Sequence, residues 1–577
     1  MVAKKSSTGK KRSQRWQAIV QVLMVVGIAL ALNILANIFY KRFDLTEDKR
    51  YTLGTPTKQL VRSLNDIVFV TVYLEGEDLP PGFRRLNQAT KDMLDEFRRI
   101  NGDKVQYQFI NPDNMPDAQS RQNLYKQLTT QGLNPVNLEV NQDNQLTQRV
   151  IFPGAIVTFN NKSMPVELLQ QQLGNVSPEE ILHNSIIGLE YQLTNAIRKL
   201  QMPDKPKIAI IQGHGELGRM HTADLYSTLN EYYTVDYVNL PQYKVGRLDP
   251  YDAIIIAKPD SFFTELEKYK IDQYIMNGGK VLWAVEALHA DMDSLRDGVA
   301  FTHDYKTNLF EDFLFKYGVR VNYDLVQDLN CNYIPLVTPY GQQQRKQLLK
   351  WPYYPVVVPQ SSHPIVHNLN AIWFSFASTL DVIDNRSNAD VKKTVLLQTS
   401  PYTRVMLNPV RINLSLVATL QKEQPLYKQG PKNLAVLLEG NFNSTFAGRI
   451  SPEALATGEY GEFKATGKST KMIVISDGDV LKNQINKSKQ QVYPLGFDQY
   501  SNQTFGNKNF VLNCVDYLVD ESGLISLRAK DYRLRLLDSG RIKTERLNWQ
   551  LLNMVLPLVL IALFGMIFNY VRKRRFA

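Results

Sequence analysis

Glycine, histidine and acidic residues recur in this chain where an apolar run gives way to polar sequence, the place where α/β proteins carry their chemistry. Gly213-His-Gly-Glu-Leu-Gly218 follows the run Ile208-Ala-Ile-Ile211 and reads literally as GxGxxG. At that spacing a strand-to-helix turn can seat a pyrophosphate. Two features count against it. His214 and Glu216 place bulk where backbone would have to approach the phosphates, and the next strand ends in Val238-Asn-Leu240 with Asp236 falling mid-strand, so no acid is set to grip a ribose. A tight strand-to-helix turn is the simpler reading. Gly461 to Ser469 imitates a phosphate loop, but its spacing is one residue too long and the strand follows the glycines. It reads as a polar surface loop, and P-loop ATP hydrolysis is excluded.

The strand Val281 to Val285 leads into Glu286-Ala-Leu-His289. A glutamine amidotransferase would place a cysteine after such a strand. None is there, and no GxSxG replaces it. An acid and a base without a nucleophile do not make an acyl-transfer site. Asp477-Gly-Asp479 also closes a strand; paired carboxylates there suit a cation, or Asp477 simply caps the following turn. His363 and His367 lack a zinc-site context, because Pro364 breaks any helix between them. The candidate ligand crevice is therefore Gly213, His214, Glu216, Glu286, Asp477 and Asp479. No catalytic set, metal set or cofactor is assigned.

Periodicity supplies the elements that would position these residues. Asp66 to Leu74, Arg84 to Ile100 and Val105 to Ile110 read as strand, helix and strand, a βαβ unit for which a thioredoxin-like core is one host. No cysteine lies in that region, so thiol–disulfide chemistry is ruled out there. A Gln-rich stretch, Gln119 to Gln148, comes before the strand Ala155 to Phe159. Ser177-Pro-Glu-Glu180 then opens a helix that runs to Leu200. From Lys207 strands and helices alternate as in a doubly wound parallel sheet, interrupted by a less regular stretch and resumed at Leu434 and Met472.

Two apolar spans bracket this α/β body, Trp16 to Phe39 and Trp549 to Tyr570, each long enough for a hydrocarbon core of about 30 Å. Lys4, Lys5, Lys10, Lys11, Arg12 and Arg15 lie outside the first, and Arg572, Lys573, Arg574 and Arg575 outside the second. They account for nearly all of the net charge of +11, so the charge is a topology signal rather than a nucleic-acid footprint. Both termini are expected in the cytoplasm, with the bulk across the membrane. Asn33, Asn37 and Asn553 are polar positions within the spans, expected to seek partners on another membrane protein. Cys331 and Cys514 lie far apart with no CxxC pair, which allows one bridge, but two buried free thiols are the preferred reading.

Several segments together resemble the auxiliary, substrate-binding-like component of the gliding-motility ABC transporter of Bacteroidota, the GldG-type proteins. They are Asp44-Leu-Thr-Glu-Asp-Lys-Arg-Tyr-Thr-Leu53, Phe152-Pro-Gly-Ala-Ile-Val157, Gly213-His-Gly-Glu216, Ile475-Ser-Asp-Gly-Asp479, Leu512-Asn-Cys-Val-Asp-Tyr-Leu518, Leu524-Ile-Ser-Leu-Arg528 and Leu534-Arg-Leu-Leu-Asp538. The resemblance implies an inner-membrane partner of a separate ATPase and a separate ABC permease, with a non-catalytic amidotransferase-like sheet in the periplasm. It implies no ligand. The expected organisation is a basic tail (1–15), a first span (16–39), an N-terminal α/β domain (40–204), an amidotransferase-like domain (205–528) with an insertion at about 287–430, a juxtamembrane segment (529–548), a second span (549–570) and a basic tail (571–577). The expected role is a non-enzymatic accessory subunit meeting an unknown periplasmic ligand or envelope partner. A periplasmic metal-dependent enzyme and a structural envelope scaffold are the alternatives.

Overall fold

The computed structural model describes residues 52–529, apart from 77–78, 143–144, 171–176, 203, 341–342, 385–388, 452–459, 487 and 489–490, together with 539–576 and a few positions between 16 and 33. The chain divides into two bodies, Met1–Lys530 and Asp531–Ala577.

The first body opens with α1 (Thr55–Arg62), β1 (Val68–Val72), α2 (Pro81–Ile100) and β2 (Val105–Phe109). The Gln-rich stretch folds as α3 (Ala118–Thr130) and a hairpin of β3 (Val136–Gln142) and β4 (Gln145–Ile151). After these come β5 (Gly154–Phe159), β6 (Lys162–Glu167) and α4 (Pro178–Gln201). The sheet order is β2-β1-β5-β6, with β1 and β2 parallel and the other pairs antiparallel. Alternate residues Val68, Val70 and Val72 are fully buried, joined by Leu86, Leu94 and Phe97 of α2 and by Leu189, Leu193 and Ile197 of α4. Ser177 caps α4 as expected, its hydroxyl accepting from Glu180 N at 3.2 Å.

The larger sheet is built from β7 (Lys207–Gln212), β8 (Thr234–Asn239), β9 (Ala253–Ala257), β10 (Lys280–Ala284), β11 (Val319–Val321), β12 (Leu380–Val382), β13 (Lys392–Gln398), β14 (Asn433–Asn443) and β15 (Thr466–Ile475). Its order is β11-β12-β14-β15-β10-β9-β7-β8, with β13 also paired to β14. The segment β15-β10-β9-β7-β8 is parallel and the remainder antiparallel. Every residue of β9 is buried, because both faces are covered. Ile254 and Ile256 pack with Tyr269, Ile271 and Ile275 of α6 (Glu265–Met276). Ala253, Ile255 and Ala257 share the opposite core with Leu225 and Leu229 of α5 (Ala223–Tyr232) and with Phe510, Cys514 and Leu518 of α7 (Asn507–Val519).

Three expectations change. The stretch at about 287–430 is less irregular than its sequence suggests, since β11, β12 and β13 extend the main sheet from within it, and Cys331–Tyr340 and Gln343–Val357 form a long antiparallel hairpin. The strand expected at Met472 begins at Thr466, so Gly467-Lys-Ser469 lies in a strand rather than a surface loop. A Cβ at Gly467 would lie 3.0 Å from Met276 Cα, so glycine lets that strand run close to the end of α6. Helix α5 starts at Ala223 rather than His221, well clear of Gly213-His-Gly-Glu-Leu-Gly218, so those glycines do not open a helix.

The second body is helix α8 (Ser539–Phe576). Within it Thr544–Arg574 contains an 18-residue window with a mean hydropathy of 2.5, none of it buried. Among the described residues it is the one helix long and apolar enough to cross a membrane. Asn553 lies on it, exposed. Of the expected first span, the described positions are helical and exposed, Asn33 among them, while Asn37 and the rest lie outside the described residues.

Candidate functional site

Four parallel strands end side by side, and each hands its next residues to the same rim. After β7 come Gly213, His214 and Glu216; after β9 comes Lys258; after β10, Glu286; after β15, Asp477 and Asp479. The sheet ladder carries on past the strands, with Lys258 N donating to Ala284 O (2.7 Å) and Val285 N to Ile475 O (2.9 Å). That continuation fixes the spacing of the side chains. The order β8-β7-β9-β10-β15 reverses direction between β7 and β9, the position where open α/β sheets bind ligands.

Glu286, Asp477 and Asp479 each bring a carboxylate oxygen within 4.8 Å of the other two. Lys258 lies among them, its Nζ 3.0 Å from Glu286 Oε1 and 2.8 Å from Asp479 Oδ1, and Lys482 reaches Asp479 Oδ1 at 3.2 Å from the rim. Lys258 holds a left-handed backbone, φ +56°, which is costly for a residue with a Cβ and persists where surrounding contacts over-determine it. Gly478 makes room for it, since a Cβ there would collide with the Lys258 side chain. Asp477 does cap the following turn: its Oδ1 accepts from Asp479 N (2.7 Å), while its Oδ2 accepts from Ser375 N (2.5 Å). Glu286 is 2% exposed. Its Oε1 accepts from Gly478 N (3.2 Å), but its Oε2 is buried with no hydrogen-bond donor.

Electrostatics follow from this geometry. Burial lifts the Glu286 carboxyl to about 6, against the pull of Lys258. Burial, reinforced by Glu286 and Asp479, holds Asp477 well above the usual carboxylate range. Burial also works against the Asp479 carboxylate, but Lys258 and Lys482 overcome it and bring the group down to about 2. Desolvation opposes the Lys258 ammonium too, and Asp479 and Glu286 together outweigh it.

The first loop of the rim is organised differently. His214 stacks on Phe263 at 3.6 Å, and its Nε2 lies 3.2 Å from Glu267 Oε2, a carboxylate that also completes the capping box of α6 with Thr264. Glu216 turns back to accept from His214 N at 2.7 Å. Desolvation works against the imidazolium, but Glu216 and Glu267 raise the His214 pKa overall. Gly213 (φ +124°) and Gly215 (φ +76°) are left-handed, and a Cβ on Gly215 would overlap the Asp260 carboxylate. These glycines serve loop packing. Asp260 N donates to His214 O (2.9 Å), tying this loop to the one after β9. So Glu286, Asp477 and Asp479 are gathered into one cluster, while Gly213, His214 and Glu216 form a neighbouring, internally paired loop. Lys258, Lys482 and Ser375 belong to the site and were not anticipated. A lysine placed directly after the all-apolar run Ala253 to Ala257 was the available signal.

His363 packs edge-on against Tyr517 (5.0 Å). Cys331 and Cys514 are free and buried, and burial pushes the Cys331 thiol up to about 12.

Residues 205–514, more than half of the chain, match the family model described as an ABC-type uncharacterized transport system. The chain belongs to this family. As an auxiliary component of the ABC-type transport system it carries its strand-end rim inside the matched region. A second model, for a domain of unknown function, matches residues 47–158. An uncharacterized protein of Borreliella burgdorferi is 21% identical over 570 residues, spanning 96% of this chain and 98% of its own. Two solved structures are similar at lower levels. The mmIFT52 N-terminal domain is 16% identical with TM-score 0.28 over 54% of this chain and 96% of its own. A cold-adapted β-galactosidase from Rahnella sp. R3 is 13% identical with TM-score 0.12 over 46% and 40%. Both scores are too low to bear on the fold of the transport-system component.

Proposed function

We propose that this transport-system component is a non-catalytic, substrate-binding-like subunit that docks on a separate ABC permease served by a separate ATPase, in the manner of the gliding-motility transporters. The observation that carries the reading is the family match over 205–514, joined by a 31-residue helical segment whose apolar 18-residue window is not buried. A helix of that kind in lipid offers a face to another span, and Asn553 gives it a polar contact. On this reading the first span, with Asn33 and Asn37, is a second anchor. Both termini are cytoplasmic, the chain sits in the inner membrane, and the two α/β domains of the first body, thioredoxin-like and amidotransferase-like, meet a ligand or envelope partner in the periplasm. The ligand crevice is the rim formed by Gly213, His214, Glu216, Glu286, Asp477 and Asp479.

The test is gentle detergent extraction of the full-length chain, with mass spectrometry of co-purifying proteins. A permease and an ATPase are expected in stoichiometric amounts; their absence under conditions that keep the chain folded would overturn the docking claim. A thiol-dependent enzyme is disfavoured because both cysteines are buried and their thiol pKa values are raised by burial.

A further inference from the structure

Two buried carboxylates, a third that is partly buried and one partly buried ammonium leave a charge deficit at the strand ends. When all three are ionised, Glu286, Asp477 and Asp479 carry three negative charges against the single positive charge of Lys258, while Lys482 stands at the rim with its side chain 37% exposed. The imbalance falls in one place. Both Asp477 oxygens accept backbone N–H groups, and Glu286 Oε1 and Asp479 Oδ1 share Lys258, but Glu286 Oε2 is enclosed with no donor. An ionised oxygen buried in that way is costly unless a cation or a proton meets it.

We propose that Glu286, Asp477 and Asp479 bind one hard divalent cation of the Mg2+, Mn2+ or Ca2+ class, with Glu286 Oε2 as a ligand atom. This deepens the reading of the rim as the ligand crevice and does not depend on docking to a permease. Each of the three residues offers a carboxylate oxygen within 4.8 Å of the other two, the separation that ligands around one such ion show at 2.0–2.6 Å. An all-oxygen donor set selects hard ions over zinc or copper. A dication neutralises the three carboxylates with Lys258, whereas a single proton leaves one negative charge buried. Lys258 is the standing counter-charge: its strained backbone keeps an ammonium between Glu286 and Asp479, so the cluster survives without the ion.

The experiment uses the full-length chain in detergent, stripped with chelator and titrated with Mn2+, with free Mn2+ read by electron paramagnetic resonance. One saturable Mn2+ per chain, displaced by Mg2+ or Ca2+, is expected. Glu286→Gln should weaken uptake by roughly ten-fold or more, and Lys258→Met should not weaken it. Thermal melts of each variant separate lost binding from lost folding. No saturable uptake by the parent chain, or equal uptake by a folded Glu286→Gln, overturns the proposal. If the parent takes no Mn2+ while Glu286→Gln melts higher, a shared proton occupies the site instead. Mn2+ uptake by a chain that brings down no permease would sink the docking claim alone.

Discussion

The junction around Asp516 and the strand-end cluster around Glu286 both bury carboxylates beside a lysine, and they treat those carboxylates oppositely. At the junction, helix α4 meets α7 and the 3-10 segment Leu524–Ala529, and every carboxylate oxygen has a donor. Asp516 pairs with Lys199 (3.2 Å) and accepts from Tyr191 (3.4 Å) and Tyr233. Asp520 takes Arg198 (3.2 Å), Ser522 and the backbone N–H of Ile525. Nearby, Glu190 Oε1 accepts from Gly54 N (2.6 Å) and Thr57 Oγ1 (2.7 Å), binding α1 to the same helix. Such a network ties the smaller sheet's α4 to α7 of the larger one. The strand-end cluster leaves Glu286 Oε2 open and keeps Lys258 at φ +56°. The carboxylates of the junction are fully paired, whereas the strand-end cluster proposed above as a ligand site leaves one carboxylate oxygen without a donor.

The largest expected effect is at the junction. Asp516→Ala strands the buried Lys199 ammonium and releases two tyrosine hydroxyls, and should cost about 3–5 kcal/mol in chemical denaturation. A loss below about 1 kcal/mol would erase the distinction between the two clusters.

Glu286→Gln should act with the opposite sign. Removing a carboxylate that burial disfavours, without changing its shape, should leave the metal-free chain no less stable at pH 8 and raise stability by about 1–2 kcal/mol. A loss comparable to that of Asp516→Ala would mean that Glu286 is structural. pH sharpens the contrast. The folded-state pKa of Glu286 is raised from 4.5 to about 6, so its contribution is present below pH 4.5 and is lost as pH rises through about 6. Burial works against the Asp516 carboxylate, but Lys199 and Tyr233 overcome it and lower its pKa. Its contribution is therefore present above pH 3.8 and is lost as pH falls below that value. Metal-free melts from pH 3 to 8 should show the parent losing stability between pH 4.5 and 6 more steeply than Glu286→Gln, with the two curves falling together in stronger acid.

The two regions were not equally legible in the sequence. Ala253-Ile-Ile-Ile-Ala257 announces a strand covered on both faces, and acids directly after apolar runs pointed to Glu286, Asp477 and Asp479. The strands Val319–Val321 and Leu380–Val382 are too short for a period and exist because a sheet edge recruits them. Lys258 was missed because a lysine before Pro259 looks like a solvated loop charge, and nothing in a non-glycine residue signals a positive φ. The junction was missed for another reason. Lys199 and Asp516 are more than 300 positions apart, and each alone is an ordinary polar position on an amphipathic helix.

The smallest effect tests where the deficit ends. Lys482 touches Asp479 Oδ1 at 3.2 Å, yet its side chain is 37% exposed and water already screens it. Lys482→Ala should therefore change stability by no more than about 0.5 kcal/mol and leave the pH dependence of Glu286 in place. The same melts measure it. If the substitution instead destabilised the chain as strongly as loss of a buried partner, Lys482 would have to be counted inside the cluster. The buried charge would then be minus one rather than minus two, and a single proton would suffice where a dication has been argued. The exposure of this one ammonium thus decides how much positive charge the strand ends still lack.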